Sequence, residues 1–447
     1  MDLCIVGAGY VGLVTGACLS EIGHRVICVD QDAEKMAILQ SGRMPIYEPF
    51  LEQLVAQNHR GGRLSFSMDL CQAARISQVV FICVGTPPLE NGEADLSAVE
   101  KVTQQVASVA HSYKLVVEKS TVPVQTGEYI YRTLQIYCPA GKGQFDVASN
   151  PEFLREGSAV SDFFHPDRIV VGVENGRAEE ILREIYAPIL SGSFRCPVHS
   201  PCPPLPKPVF LRTDIRSAEL IKHASNSFLA TKISFINAIA DICEKVGADV
   251  EKVAEGMGLD PRIGRSFLNA GLGFGGFCFP KDLQAFVRIA EKNNYDFGLL
   301  KETERINKRR IDIAVEKLKK ALWVLQGKKI GILGLAFKPQ TDDIRFAPAL
   351  ELIRRLKQEG CQIRAYDPKA MDKSSRECPG ITYAQSPYEA AEGAEALIIT
   401  TEWPEFAKLD WTKIRSTMVR PYLLDGRNLL KKEEMKTLGF EYEGMGR

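Results

Sequence analysis

The chain has 447 residues, enough for about three domains that each bury a core. Its 56 Lys and Arg balance 56 Asp and Glu, which excludes a global field for recruiting nucleic acid or an anionic membrane. Hydrophobic residues at 45% and charged residues at 25% exclude disordered and fibrous classes, and twelve Cys spread from Cys4 to Cys378 read as cytosolic thiols rather than a secreted disulfide framework.

Residues 3–20 carry no charge, but Asp2 stands where a signal peptide has its basic region. Gly7, Gly9, Gly12 and Gly16 also punctuate a segment shorter than the roughly 20 residues of a membrane span, so neither targeting reading is expected. The pattern instead predicts a strand over 3–6, a glycine turn over 7–12, a helix to 22 and a second strand over 25–29 that ends at Asp30. Gly7-x-Gly9-x-x-Gly12 alone is a weak motif. Between a strand and a helix, with Asp30 closing the next strand, it has the context of a dinucleotide fingerprint. Gly7 permits the tight turn, Gly9 lets backbone approach a pyrophosphate, and the helix N-terminus offers that anion unpaired N–H groups. Asp30 would accept hydrogen bonds from ribose hydroxyls and repel a 2′-phosphate, and no Arg follows it, so NAD is expected over NADP. The bland alternative is that these glycines merely pack the helix on the strand.

Further apolar runs at 79–84, 115–117 and 169–171, separated by helical periodicity, predict a parallel doubly wound sheet in a domain spanning 1–195. Six of the twelve residues over 197–208 are proline, so 196–209 reads as a stiff linker. Residues 217–244 predict one long helix whose apolar stripe is too wide for a single partner, placed in a central helical domain over 210–325. Strands over 329–333, 362–366, 396–400 and 422–424 then predict a second α/β domain over 326–447. The expected fold is therefore α/β, with two Rossmann-like doubly wound domains joined by a helical one.

Asn150-Pro-Glu-Phe-Leu-Arg-Glu156-Gly reads locally as a helix start, with Asn150 as cap and Pro151 at the first position. Glu152 and Glu156 would then share a face as a coupled acid/base pair, unless they only complement the helix dipole. Lys222 and Asn226 share a face of the long helix, either as oxyanion donors or with the lysine snorkelling to water. Four glycines in the six residues 271–276 let backbone approach a ligand, and Cys278 follows them. Lys281 and Asp282 lie within a turn of this thiol, where a cation can favour the nucleophilic thiolate, whereas Cys4, Cys28 and Cys83 sit in apolar strands and read as packing. Cys196-Pro-Val-His199-Ser-Pro-Cys202 has the donors of a zinc half-site but no fourth ligand apparent in the sequence, so no metal is expected; a Cys196–Cys202 disulfide is left open.

Taken together, the glycine fingerprint, Lys119-Ser-Thr121-Val-Pro, Ser149-Asn-Pro-Glu-Phe-Leu-Arg-Glu156-Gly, Pro166-Asp-Arg-Ile-Val-Val-Gly172, Gly275-Gly-Phe-Cys278-Phe-Pro-Lys-Asp282 and Phe337-Lys-Pro-x-Thr-Asp-Asp-Ile-Arg345 resemble the nucleotide-sugar 6-dehydrogenases of the UDP-glucose/GDP-mannose dehydrogenase family. The resemblance runs in order over almost the whole chain. It implies an NAD-dependent, four-electron oxidation of a sugar C6 alcohol to a carboxylate, with UDP-glucose going to UDP-glucuronate through a thiohemiacetal and a thioester on Cys278. GDP-mannose and UDP-N-acetylhexosamines are alternative substrates, and a catalytically silent NAD-binding scaffold is the alternative from another class. By the same resemblance Lys222 and Asn226 stabilise oxyanions, while Glu152, Thr121 and Asp282 position or activate water. NAD is expected at Gly7, Gly9, Val11, Gly12, Asp30, Lys35, Thr86, Thr121, Glu156, Lys281 and Arg345. The UDP-sugar is expected at Glu152, Phe153, Leu154, Arg155, Lys222, Asn226, Phe267, Leu268, Asn269, Ala270, Gly271, Gly275 and Lys338. Arg262 resembles an arginine that reaches the neighbouring subunit's substrate, which implies a homodimer or higher homo-oligomer of a cytoplasmic enzyme with no nucleic-acid or membrane partner.

Four positions depart from the family pattern. Phe277 stands where Ser usually precedes the nucleophile, Phe50 and Gln125 where Gly is usual, and Phe346 where an acidic residue is common.

Overall fold

The computed structural model describes residues 1–139, 143–203 and 206–447; part of the expected proline-rich linker, 204–205, lies outside the described residues. The chain packs into two units, one of residues 1–225 with 284–289, the other of residues 226–283 with 290–447.

The first unit is built on strands β1 (Asp2–Val6), β2 (Arg25–Val29), β3 (Leu64–Ser67), β4 (Val79–Ile82), β5 (Lys114–Glu118), β6 (Phe145–Ser149), β7 (Arg168–Val173) and β8 (Val209–Thr213). Their order is β3-β2-β1-β4-β5-β6-β7-β8. All neighbours pair in parallel except β6 with β7. β1, β4 and β5 are buried on both faces, which is why they read as unbroken apolar runs. The order reverses between β1 and β4, and such a switch point is where open α/β sheets bind ligands.

Two expectations are corrected here. The first sheet does not stop at residue 195, because β8 pairs in parallel with β7 from Arg168↔Val209 onward. The proline-rich stretch thus connects β7 to β8 within this unit. Nor does residue 150 begin a helix: residues 150–155 are irregular and the helix that follows is Ala159–Phe164. Asn150 spends its side chain elsewhere, donating to the Val170 carbonyl at 2.8 Å and accepting from the Tyr186 hydroxyl at 2.6 Å and Lys119 Nζ at 3.1 Å. Glu152 Oε2 accepts from Leu154 N at 2.6 Å, a local turn that competes with helix.

The second unit carries β9 (Lys329–Leu333), β10 (Gln362–Tyr366), β11 (Thr382–Tyr383), β12 (Ala396–Ile399), β13 (Tyr422–Asp425) and β14 (Glu441–Gly444) in the order β11-β10-β9-β12-β13-β14. Every neighbour pairs in parallel, giving a second Rossmann-like sheet. The predicted long helix extends over Ile215–Val246, and the helical stretch beyond it divides into Cys278–Lys292 and Gly298–Leu322. The residues expected in the central helical domain distribute between the two units.

Candidate functional site

In the first unit the fingerprint folds as its chemistry requires. Gly7 takes φ +100°, and its N–H donates to the Val29 carbonyl at 2.7 Å, fixing the turn between β1 and the helix Tyr10–Glu21. Gly9, the N-cap, has no protein atom within 4 Å of where a Cβ would stand, so the protein's own packing does not demand glycine there. An anion approaching the helix N-terminus does, which fits a dinucleotide pyrophosphate. Asp30 lies at the end of β2 and accepts from Ala8 N at 2.8 Å, Asp32 N at 3.0 Å and Lys35 Nζ at 2.9 Å. Burial pulls its carboxyl upward, but these donors outweigh that and hold it below the ordinary value. Thr86, past β4, donates its hydroxyl to the Thr121 carbonyl at 2.8 Å and so ties two loops at the strand ends.

Lys222 does not snorkel. It is 4% exposed, and its Nζ lies 2.9 Å from Glu152 Oε1, pairing two charges that sequence placed in unrelated motifs. Phe153 stacks under Arg168, whose guanidinium is 4.0 Å from the ring centroid, and Arg155 is held by Asp162 at 2.6 Å. Glu152 and Glu156 do not form the expected helical pair, for the reason given above. The turn after them is fixed by Glu48, which accepts from Gly157 N at 2.6 Å, from Ala159 N at 2.7 Å and from the Tyr10 hydroxyl.

In the second unit Cys278 is the first residue of the helix Cys278–Lys292, where the positive end of the helix dipole favours an anion. One turn on, Asp282 is fully buried; its Oδ1 pairs with Lys281 Nζ at 2.9 Å and its Oδ2 accepts from Asn226 Nδ2 at 2.7 Å. Phe277 lies beneath the Arg345 guanidinium at 4.4 Å, and Asp343 clamps that guanidinium through Nη2 at 2.5 Å. A side chain on Gly275 would run into the Phe346 carbonyl, so the loop needs glycine there for close backbone approach. Gly271 N donates to Asn237 Oδ1 at 2.8 Å, and the wholly buried Arg310 donates to the Gly271 carbonyl at 2.9 Å. Leu268 and Ala270 bury their side chains in the core beneath this loop, while Asn269 is exposed and bonds Arg265. Phe267 takes φ +66°, Lys338 lies over the Phe337 ring at 5.4 Å, and Arg262 projects into solvent beside Asp260.

Sequence reasoning missed Glu48 in the first unit and Asn237, Arg310 and Asp343 in the second, each of which holds a motif of its own unit. It quoted Lys119 without a role. That lysine is buried, and burial pulls its ammonium down to about 8, with the neighbouring Cys83 and Glu152 working the other way. The departures Phe50 and Gln125 have a backbone reason to attract glycine, since both occupy left-handed conformations at φ +67° and +82°. The Cys196 segment also does not lack a fourth donor, because the fold brings His165 to it.

Three family models match the chain in order: the NAD binding domain of the UDP-glucose/GDP-mannose dehydrogenase family over residues 1–190, its central domain over 216–309 and its UDP binding domain over 331–432. The chain belongs to this family. It is an NAD-binding oxidoreductase. It is 45% identical over 451 residues to a UDP-glucose 6-dehydrogenase of Rhizobium meliloti, covering all of both chains. A solved UDP-glucose dehydrogenase of Pyrobaculum islandicum matches with TM-score 0.89 and 39% identity over 99% of this chain and 97% of that one. A UDP-D-ManNAc dehydrogenase of Pyrococcus horikoshii matches with TM-score 0.85 and 28% identity over 100% and 99%. Among the described residues no helix is long and apolar enough to cross a membrane.

Proposed function

We propose that the protein oxidises C6 of UDP-glucose to the carboxylate of UDP-glucuronate without releasing the aldehyde. The observation that carries this reading is Cys278 at a helix N-terminus, one turn from a buried Asp282 that is engaged by Lys281 and Asn226. A nucleophilic thiol is superfluous for a two-electron alcohol oxidation. It serves a four-electron one, because adding a nucleophile to the aldehyde carbon makes a tetrahedral carbon whose C–H can leave as the second hydride while its new hydroxyl loses a proton.

Gly7, Gly9, Val11, Gly12, Asp30, Lys35, Thr86, Thr121, Glu156, Lys281 and Arg345 are the residues assigned to NAD, which when bound accepts one hydride from C6 in each of the two oxidations. Lys222, paired with Glu152, and Asn226 donate hydrogen bonds to the oxygen on C6 as its negative charge develops. The Cys278 thiolate adds to the aldehyde carbon, the C–S bond forms, and the oxygen takes up a proton to give a thiohemiacetal. Loss of the second hydride and of that proton leaves a thioester. Water adds at the thioester carbon, the C–S bond breaks, and the acid and the thiol are regenerated. Asp282, Glu152 and Thr121 orient or deprotonate that water. Phe153 to Arg155, Phe267 to Gly271, Gly275 and Lys338 take the UDP-sugar.

The working form in this reading is a cytoplasmic homodimer. Phe228, Phe235 and Ile242 recur every seven residues on the long helix and are exposed, a stripe suited to a second copy of that helix. Arg262, its side chain 87% exposed, would then reach the partner's substrate.

The test is a product assay with NAD and a panel of UDP-glucose, GDP-mannose and UDP-N-acetylhexosamines. Two NADH per UDP-glucose with UDP-glucuronate as product is expected. One NADH per sugar sinks the four-electron mechanism, and preference for another sugar sinks the substrate.

A further inference from the structure

We propose that His165, Cys196, His199 and Cys202 form a structural zinc site. The sequence offers three of these donors within seven residues and hides the fourth 31 residues upstream of Cys196. Sheet topology brings them together. His165 ends the helix Ala159–Phe164, three residues before β7, and the Cys196 segment precedes β8. β7 and β8 pair in parallel from Arg168↔Val209, so the segments leading into the two strands come to the same end of the strands.

The donor atoms converge on a point. His165 Nε2 lies 3.2 Å from Cys196 Sγ and 3.6 Å from Cys202 Sγ, His199 Nδ1 lies 3.6 Å from Cys196 Sγ, and all four donor atoms fall within 4.8 Å of one another. Zinc binds sulfur at about 2.3 Å and imidazole nitrogen at about 2.0–2.1 Å in a tetrahedron, which makes the edges between donors roughly 3.3–3.8 Å. Two of the three separations fall within those edges and the third is about 0.1 Å short, while the remaining pairs lie within 4.8 Å, so small side-chain shifts close the tetrahedron. The His199 backbone N–H also points at Cys196 Sγ from 3.3 Å, the kind of outer contact that steadies a thiolate ligand. Phe194 flanks the His165 ring at 5.8 Å and stacks on Phe164 at 5.3 Å, giving the donors an apolar side.

Two thiolates and two imidazoles complete a tetrahedron and leave no position for water or substrate, so the ion is structural and not catalytic. It would cross-link the proline-rich connection to the segment before β7, doing for this loop what backbone pairing does for a strand. The same helix holds Asp162, the partner of Arg155, so the clamp also secures the element behind the residues assigned to the sugar.

The test is the zinc content of the full-length enzyme purified under reducing conditions, with cobalt titration of the chelator-stripped protein. One zinc per chain is expected, as are the strong visible bands of tetrahedral cobalt with thiolate charge transfer in the near ultraviolet. Cys196→Ser with Cys202→Ser should lose the metal and lower the melting temperature while turnover at moderate temperature is retained. Should that variant fail to fold, the cobalt spectrum of the wild-type chain decides alone. A metal-free enzyme whose cobalt spectrum is octahedral, zinc retained by the double variant, or a Cys196–Cys202 disulfide persisting in the reduced preparation overturns the proposal.

Discussion

A pair of buried carboxyls in the first unit makes stability depend on pH in a direction opposite to the usual one for acids. Glu118, the last residue of β5, faces Glu219 on the long helix, and both are nearly inaccessible. Glu219 accepts from Gln125 N at 2.7 Å and Gly127 N at 2.8 Å, which favours its charged form. Burial outweighs those bonds and pushes Glu219 up to about 7; burial and then the charge of Glu219 push Glu118 well above the ordinary range. The folded protein therefore binds these protons more tightly than the unfolded chain does. The resulting stability is fully present below about 4.5 and is lost as pH rises through about 7. At about 1.4 kcal/mol per tenfold change in proton affinity, Glu219 removes about 2–3 kcal/mol between pH 5 and pH 8. Glu219→Gln abolishes that titration while setting an amide N–H against one backbone donor, a pH-independent cost of about 1–3 kcal/mol. Denaturant unfolding of both proteins from pH 5 to pH 8 should show the variant clearly weaker at pH 5 and near parity, or ahead, at pH 8. A wild-type minus variant difference that stays constant within about 0.5 kcal/mol across that range refutes the raised carboxyl.

Cys278→Ala should lower overall turnover by on the order of 10³-fold, about 4 kcal/mol of barrier, while the variant still reduces UDP-6-aldehydo-glucose with NADH; near wild-type conversion of that aldehyde to acid would return Cys278 to a packing role. Gln125→Gly should raise stability by about 1 kcal/mol, since glycine relieves a left-handed backbone that an L side chain resists and the backbone donor to Glu219 is retained; a fall in melting temperature counts against it. Asp30→Ala should weaken NAD binding by about 1.5–3 kcal/mol and narrow the preference over NADP, because it removes a carboxylate and leaves Lys35 with Asp32 at 3.8 Å in place of its closer partner. Dissociation constants for both cofactors measure this, and unchanged values remove Asp30 from the ribose site.

Much of the fold was legible where physics is local. Strands buried on both faces, such as β1, β4 and β5, announce themselves as apolar runs, and the glycine turn with Asp30 marks the first βαβ unit. β8 escaped because it alternates between half-buried and exposed positions at the sheet edge, and β11 has only two residues. The helix expected from Asn150 failed because capping chemistry was read without the competing partners. Val170 and Tyr186 capture the Asn150 side chain, and neither is adjacent in sequence.

The same division runs through the site. Residues assigned to ligands sit in compact motifs, since a ligand is gripped by loops at strand ends, and a loop is a local feature. The groups that hold those residues come from far along the chain: Lys222 meets Glu152 across 70 positions, Asn226 meets Asp282 across 56, and Glu48 reaches Gly157 across 109. A buried charge without a partner costs several kcal/mol, so each motif that places a carboxylate or ammonium in the interior obliges some other element to supply its complement. The motif tells that a partner exists and of which sign. Only the fold tells which residue it is, and His165 beside Cys196 is the same rule applied to a set of soft donors.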